Sequence, residues 1–361
     1  MPRTKTKASP KKTTKIDFGL VCDTDWSTEK LPTGIVPIDY ILNGGFGYGR
    51  FAEIFGNYSS GKSYLLYLAL IQNQKRGGTS ILLEEEGAYD PTFFQRLGGD
   101  TKSLVLPSKV DTCEDVFDAI NEICKIATKE ELKNICIGWD SIAATSTKHL
   151  EETGMEKRDM SKALAMSTGC QLIRSVVKKS GVCVIATNQT RELINVKYGP
   201  KTGTPGGRGY PFICSQRIEL SFKGGVIMAS DKDKTPVGRQ IKVRVDKNKL
   251  GPAMRDCTLY FYTEDGDEHP VYKYPTSIGI DENESLFDFY LKGRFHLPPR
   301  TPDERPWEGP RVVNPNGAWY TLDESIDPSG KSFRSGEWVK KLEEFPNLRT
   351  LPMEHLDGAN I

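Results

Sequence analysis

The chain has 361 residues, 37% of them hydrophobic and 27% charged, which gives enough apolar material for a sizeable core and excludes wholesale disorder. The net charge is only +1, so the molecule as a whole is not a polycation. Eight scattered cysteines with no CxxC pair, beside only four histidines, argue against a zinc site. No apolar run approaches membrane-spanning length and the first thirty residues lack a leader-type apolar core, so no membrane partner is expected. The cysteines read as small core hydrophobes in a reducing compartment.

In chain order, residues 1–15 carry Arg3, Lys5, Lys7, Lys11, Lys12 and Lys15 without an acid, a solubilising basic arm or one drawn to a polyanion. The arm ends in the apolar string IDFGLV (16–21). An entry segment LPTGIVPIDYIL and a Gly-rich turn lead to a strand RFAEIFG, then a loop, then a helix from about Ser63 to Lys75 with YLLYLALI on it. A strand TSILLEEE (79–86), helices near 91–97 and 114–128, a buried strand NICIGWD (134–140), a helix over about 159–179 and a strand GVCVIAT (181–187) follow. Apolar strands alternating with helices predict an α/β fold with a mostly parallel sheet covered on both faces. From about 214, SQRIELSF, RQIKVRVDKNK and CTLYFYT alternate apolar with polar residues, which predicts an antiparallel extension of that sheet. Residues 276–293 read as helical, and six prolines in 294–316 read as a loop or linker. A small C-terminal module then holds Trp319-Tyr320 and a helix SGEWVKKLEEF.

The chemistry starts at Gly56-Asn57-Tyr58-Ser59-Ser60-Gly61-Lys62-Ser63, which fits G-x-x-x-x-G-K-[ST] between a predicted strand and a predicted helix. Glycines turn backbone N–H groups around phosphate oxygens, and the helix N-terminus adds partial positive charge. Lys62 is expected on the β- and γ-phosphates and Ser63 on Mg²⁺, and the expected ligand is a nucleoside triphosphate, ATP, with Mg²⁺. Asp140, at the end of a central strand, is a second candidate for the metal, the alternative being an ordinary strand-terminating acid. Glu84, Glu85 and Glu86 end another strand; one of them suits a base that orients water, and alternation puts Glu84 and Glu86 on one face without choosing between them. Asn188-Gln189 ends a third strand, either as a cap or as a sensor of the γ-phosphate. Residues 190–211 form a Gly- and Pro-rich loop in which Arg191, Lys197, Lys201 and Arg208 accompany Ile194 and Tyr198. That mix suits a nucleic-acid backbone with apolar wedges between bases, or else a solvated loop.

These blocks, in this order, resemble the RecA-type recombinases over roughly residues 31–345. GNYSSGKS is followed by EEGAYDP (85–91), similar to the family's acidic motif, and by VDKNKLGPA (245–253), similar to its Lys-Asn-Lys block. The resemblance implies a catalytic role for Glu86, adenine contacts at Asp90 and Phe93, and two lysines, Lys247 and Lys249, given to the ATP of the neighbouring subunit. It implies DNA loops at about 150–160 and 190–209, with Met160 and Ile194 as wedges, Arg191 as a basic contact and Gln189 as the residue coupling ATP to DNA. The pair Gly206-Gly207 before an aromatic strand and the pairing of GAWYT (317–321) with GEWVKKL (336–342) also match the family. Its N-terminal helical domain is reduced here to an arm, with Ile16 to Val21 as the expected polymerisation segment. The stretch 294–316 looks inserted and an acidic tail is missing, traits expected of a divergent, phage-encoded member.

The resemblance implies a RecA-like P-loop ATPase core over 31–275, a basic N-terminal arm over 1–30 and a small C-terminal α/β module over 276–361. The expected activity is a DNA-dependent ATPase that forms filaments on single-stranded DNA and carries out homologous pairing and strand exchange. Partners would be single- and double-stranded DNA, further copies of the chain, and single-strand-binding and mediator proteins, in a bacterial or phage-infected cytoplasm. The alternatives are a mediator or regulator on the same fold that exchanges no strands, and a ring helicase. The helicase is disfavoured because neither an arginine finger nor a separate N-terminal domain is evident.

Overall fold

In a computed structural model, the described residues are 28–108, 110–153, 161–192, 202–228, 236–263, 279–292, 312–313, 319–322 and 326–353. The basic arm, the segment Ile16 to Val21, Met160, Ile194, Lys197, Lys201 and most of the Pro-rich stretch lie outside them.

The chain enters through β1 (Lys30–Leu31), α1 (Val36–Ile41) and β2 (Phe46–Gly47), with β1 and β2 paired antiparallel. The short helix α1, which sequence patterning does not predict, is set by Asp39. Its buried carboxylate accepts from the Thr33 N–H (2.6 Å), the Thr33 hydroxyl (2.8 Å) and the Gly34 N–H (3.0 Å). Next come β3 (Phe51–Gly56), α2 (Lys62–Lys75), β4 (Thr79–Glu84), α3 (Pro91–Arg96), α4 (Cys113–Lys129), β5 (Ile135–Asp140), α5 (Lys148–Thr153), α6 (Ser161–Ser180) and β6 (Cys183–Gln189). A small hairpin, β7 (Arg191–Glu192) with β8 (Thr202–Gly203), and α7 (Gly209–Ile213) lead to β9 (Gln216–Met228), β10 (Pro236–Asn248), β11 (Asp256–Tyr262) and β12 (Gly279–Asp281). The chain continues through α8 (Glu282–Lys292), the pair β13 (Val312–Val313) and β14 (Thr321–Leu322), and α9 (Trp338–Glu344).

One eight-stranded sheet runs in the order β12-β11-β10-β9-β3-β6-β5-β4. Strands β9, β3, β6, β5 and β4 pair in parallel, and β10, β11 and β12 extend the sheet antiparallel. Alternation along the strands feeds two cores. Ala52, Ile54, Leu82, Cys136 and Ile185 face α1, α2 and α8; Phe51, Leu83, Ile137, Trp139 and Val184 face α4, α6 and α7. The seven cysteines among the described residues are all buried and free. In β5, Gly138-Trp139 is less aliphatic than its neighbours for a packing reason. A Cβ at Gly138 would stand 3.0 Å from Leu66 and 3.2 Å from Leu70 of α2, while Trp139 fills the other face and its Nε1 donates to the Thr145 hydroxyl at 2.8 Å.

Helix α4 starts at a capping box in which the Thr112 hydroxyl accepts from the Asp115 N–H and the Asp115 carboxylate accepts from the Thr112 N–H. Its apolar face packs on α6, where Gly169 lets the Phe117 ring approach. Beyond the sheet, Phe287, Tyr290, Tyr320, Phe333 and Trp338 form an aromatic cluster, and Tyr40 meets Phe289 edge-on at 5.3 Å to hold α8 on α1. Among the described residues no helix is long and apolar enough to cross a membrane.

A Cβ at Gly169 would lie 2.1 Å from the Phe117 ring. Gly169→Ala should therefore cost about 1–3 kcal/mol in urea unfolding, as overpacking does; an unchanged midpoint would show that α4 and α6 yield freely.

Candidate functional site

The parallel strands set the site because their carboxyl ends fall in line. Gly56 pairs with Gln189, Glu84 pairs with Asp140, and Trp139 pairs with Ala186, so Asp140 stands beside Thr187. The loop after β3 is shaped by its glycines. Gly56 passes so close to β9 that a Cβ would sit 2.1 Å from the Leu220 carbonyl oxygen, and Gly61 starts α2 at a φ of 84°. The Ser60 hydroxyl is buried and donates to the Asn57 carbonyl (2.8 Å), which also accepts from Lys62 Nζ (2.6 Å). The Thr190 N–H donates to the Gly56 carbonyl at 3.0 Å. Ser59 takes a φ of 55°, and Tyr58 projects outward, 80% exposed.

Asp140 is buried and accepts from the Thr187 hydroxyl and from Ser63. Burial raises its pKa even against those two bonds, with Glu86 and Glu84 adding to the rise. Burial also lowers the Lys62 pKa, which Glu86 and Asp140 partly restore. The site is thus a lysine, a hydroxyl and a buried carboxylate under a loop of turned backbone. A polyphosphate and a divalent cation fit it: the loop excludes a Cβ where backbone must approach, and hard oxygen donors meet at Ser63 and Asp140.

The three glutamates separate. Strand β4 ends at Glu84, not at Glu86, because its partner β5 ends at Asp140; the Glu85 N–H makes the last ladder bond, to the Asp140 carbonyl (2.7 Å). Strand alternation therefore does not extend to Glu86. Glu84 accepts from the Ala88 N–H (3.0 Å). Glu86 Oε1 accepts from the Ser141 hydroxyl (3.4 Å) and from Gln189 Nε2 (3.3 Å), so Glu86 and Gln189 meet at the same end of the sheet as Lys62. Asp90 caps α3 by accepting from the Thr92 N–H (2.8 Å), and Phe93 packs on Tyr64, the neighbour of Ser63, with ring centroids 6.2 Å apart.

Lys247 and Lys249 are not in this cluster. Lys247 pairs with Arg217, which pairs with Glu53, three residues before Gly56. At about 3.3 Å per residue and about 4.8 Å between strands, the Lys247 backbone stands roughly 14 Å from Gly56, beyond the reach of its side chain. Its Nζ donates instead to the carbonyls of Pro211 (2.8 Å) and Phe212 (3.0 Å), and the Lys249 N–H donates to the Ser215 carbonyl (2.8 Å).

Arg191 sits in the hairpin at the base of the loop, paired with Gly203. Gly206 and Gly207 take φ of 88° and 72° and pass over Met166 and Ala163 of α6. They precede the short helix α7 rather than an aromatic strand, because Tyr210 turns inward, donating to the Ala52 carbonyl (3.3 Å) and packing edge-on against Phe51 and Trp139. Arg208 and Arg174 border a cleft of about 390 Å³ between α6 and α7 that Phe212 also lines.

Three residues escape sequence reasoning: Thr187, which fixes Asp140, and, behind the site and outside it, the pair Glu53 and Arg217. The lone acid in the apolar strand RFAEIFG was a signal for Glu53. It is fully buried and bonded to Arg217 Nε at 2.6 Å.

Residues 16–266 match the family model described as the RecA N-terminal domain. Among curated relatives, the chain is 37% identical to Protein RecA of Francisella tularensis subsp. novicida over 314 residues, covering 86% of this chain and 76% of that one. It is 34% identical to Protein RecA of Thermus aquaticus over 234 residues, 64% of this chain and 66% of that protein, just under two thirds of its length. It is 29% identical to Protein RecA of Acholeplasma laidlawii over 308 residues, 83% and 79% of the two chains. The chain belongs to the RecA family.

Thr187→Val keeps the shape of the side chain but leaves the buried Asp140 oxygen without its donor. A loss of about 1–3 kcal/mol on denaturant unfolding is expected; no loss would mean that Asp140 is held by other groups.

Proposed function

We propose that this chain is a DNA-dependent ATPase that polymerises on single-stranded DNA and carries out homologous pairing and strand exchange with double-stranded DNA. The observation that carries the reading is the division of its cationic groups between two ends of one sheet. Lys62 stands under the phosphate loop with Ser63, Asp140 and Glu86, whereas Lys247 and Lys249 stand at the far end of the sheet, Lys247 with its ammonium on the carbonyls of Pro211 and Phe212. Such a division suits a nucleotide seated between subunits, with one face held in cis and the other met by a neighbour's lysines. Head-to-tail contacts of this kind generate open helical assemblies when they do not close into rings.

In this reading the phosphate loop and Lys62 bind and orient the β- and γ-phosphates, and Asp90 and Phe93 bound the adenine. Ser63 and Asp140 would hold Mg²⁺, which when bound offsets phosphate charge. Glu86 orients the attacking water and accepts its proton. Lys247 and Lys249 of the neighbour stabilise charge on the phosphoryl group, as an arginine finger does. Gln189 links the two functions: its amide bonds to Glu86 while its backbone begins the loop that carries Arg191, Ile194, Lys197, Lys201, Gly206, Gly207 and Arg208. DNA taken up by that loop and by Met160 moves Gln189, and with it Glu86. Single-strand-binding and mediator proteins would act on the resulting filament.

Single-stranded DNA should raise the ATPase rate, filaments should form with ATP, and joint molecules should appear with a homologous duplex. A DNA-stimulated ATPase that yields no joint molecules would favour the mediator reading, and an ATPase indifferent to DNA would defeat both. Lys62→Ala should lower turnover by about 10²–10³. Glu86→Gln should bind ATP but turn it over about 10²–10⁴ more slowly; a comparable defect confined to Glu84→Gln would move the base to Glu84.

A further inference from the structure

Behind the site lies a line of charged and amide side chains that the functional reading above does not use. It begins at the lysine edge. Asp246, adjacent to Lys247 and with its side chain 37% exposed, accepts from Arg217 Nη1 at 2.6 Å. Arg217 Nε donates to Glu53 at 2.6 Å, and its guanidinium lies over the Phe55 ring, 4.4 Å from the centroid. The other oxygen of Glu53 accepts from Asn188 Nδ2 at 2.9 Å. Asn188 ends the line by holding both stems of the loop: its Nδ2 also donates to the Pro205 carbonyl (3.1 Å), and its Oδ1 accepts from the Gln189 N–H (3.0 Å).

The stiffness of this line is physical. Glu53 is fully buried, so its charge must keep both donors, since breaking a buried pair costs far more than forming it gains. The planar Arg217 fork holds two carboxylates in a fixed geometry, which a lysine's rotatable ammonium does not impose. A displacement at Asp246 is therefore passed on rather than absorbed. Lys247 supplies the two-state element that such coupling needs. Its Nζ gives two of its three donors to the carbonyls of Pro211 and Phe212, and extending toward a neighbour's phosphate exchanges those inward contacts for outward ones.

We propose that Asp246, Arg217, Glu53 and Asn188 form a relay that reports engagement of Lys247 with a neighbour's nucleotide to Gln189 and to both stems of the loop at 190–205. These are positioning residues; none touches ATP. The relay rests on the functional reading above, in which Gln189 couples DNA to hydrolysis. It adds a route by which the ATP on one side of a subunit acts on the DNA loop of that same subunit.

The test uses the full chain, ATP and a single-stranded thymidine oligonucleotide, with Arg217→Lys and Asp246→Asn as variants. Both leave Glu53 a cationic partner, so the fold survives. Turnover without DNA and half-saturation by ATP should stay within about twofold of wild type, and half-saturation by the oligonucleotide should not move. The maximal stimulation by DNA should fall about five- to tenfold, the size of an ordinary coupling between sites. Asp246→Glu should retain stimulation, because the carboxylate remains. In a Gln189→Ala background, Asp246→Asn should add nothing, because the route is already cut. An unchanged stimulation ratio in both variants overturns the relay and leaves the functional reading standing. Loss of ATP binding together with stimulation makes these residues merely structural and also overturns it. An additive loss in the Gln189→Ala background overturns the route through Gln189. A wild-type protein that DNA does not stimulate removes the functional reading and the relay together.

Discussion

The parallel register of β3, β6, β5 and β4 is the constraint from which the site follows. It sets Gly56, Gln189, Asp140 and Glu84 at one edge of one sheet, so a loop, an amide and two carboxylates from distant parts of the sequence meet without further arrangement. Ligands gather at the carboxyl ends of parallel strands for this reason. The close approach of β9 to Gly56 then closes the loop's shape, since only a residue without a side chain passes the Leu220 carbonyl. Burial of Asp140 is the cost of this geometry, offset by hydrogen bonds from Thr187 and Ser63.

The antiparallel extension has the opposite consequence. Because β10 runs against β9, the Lys-Asn-Lys block at its end lies at the far side of the sheet from the phosphate loop, although β10 is only two strands from β3. One chain therefore carries Lys62 and the Lys-Asn-Lys block at opposite ends of one sheet. The Glu53–Arg217 pair crosses the sheet between them, joining the strand that carries the phosphate loop to the strands that carry the lysines. Buried ion pairs add little net stability on average. A role in fixing the relation between two sites explains this one better than a role in holding the fold.

Much of this was legible in the sequence. The strands, the long helices and the phosphate loop announce themselves through apolar periodicity and glycine spacing; Lys62 and Ser63 open α2 and Asp140 ends β5. What was not legible depends on contacts between distant residues. Helix α1 is six residues long and begins beside a proline, too short for periodicity; Asp39 and its three donors make it. The end of β4 at Glu84 depends on its partner β5, which pairs no further than Asp140, so counting alternation along TSILLEEE misplaces it. Tyr210 makes a helix where an aromatic run read as strand. Glu53 gave a signal, a lone acid in an apolar strand, but its partner Arg217 lies far away in the chain.

The central claim is that one ATP is served by two subunits, and mixing two inactive variants tests it directly. Lys62→Ala alone lacks the cis half, and the double variant Lys247→Ala with Lys249→Ala lacks the trans half. Mixed in equal amounts on single-stranded DNA, a head-to-tail assembly should place an intact loop beside intact lysines at about a quarter of its interfaces, restoring about that share of wild-type turnover. A mixture no more active than its two components would contradict the account and return both lysines to a role within their own subunit.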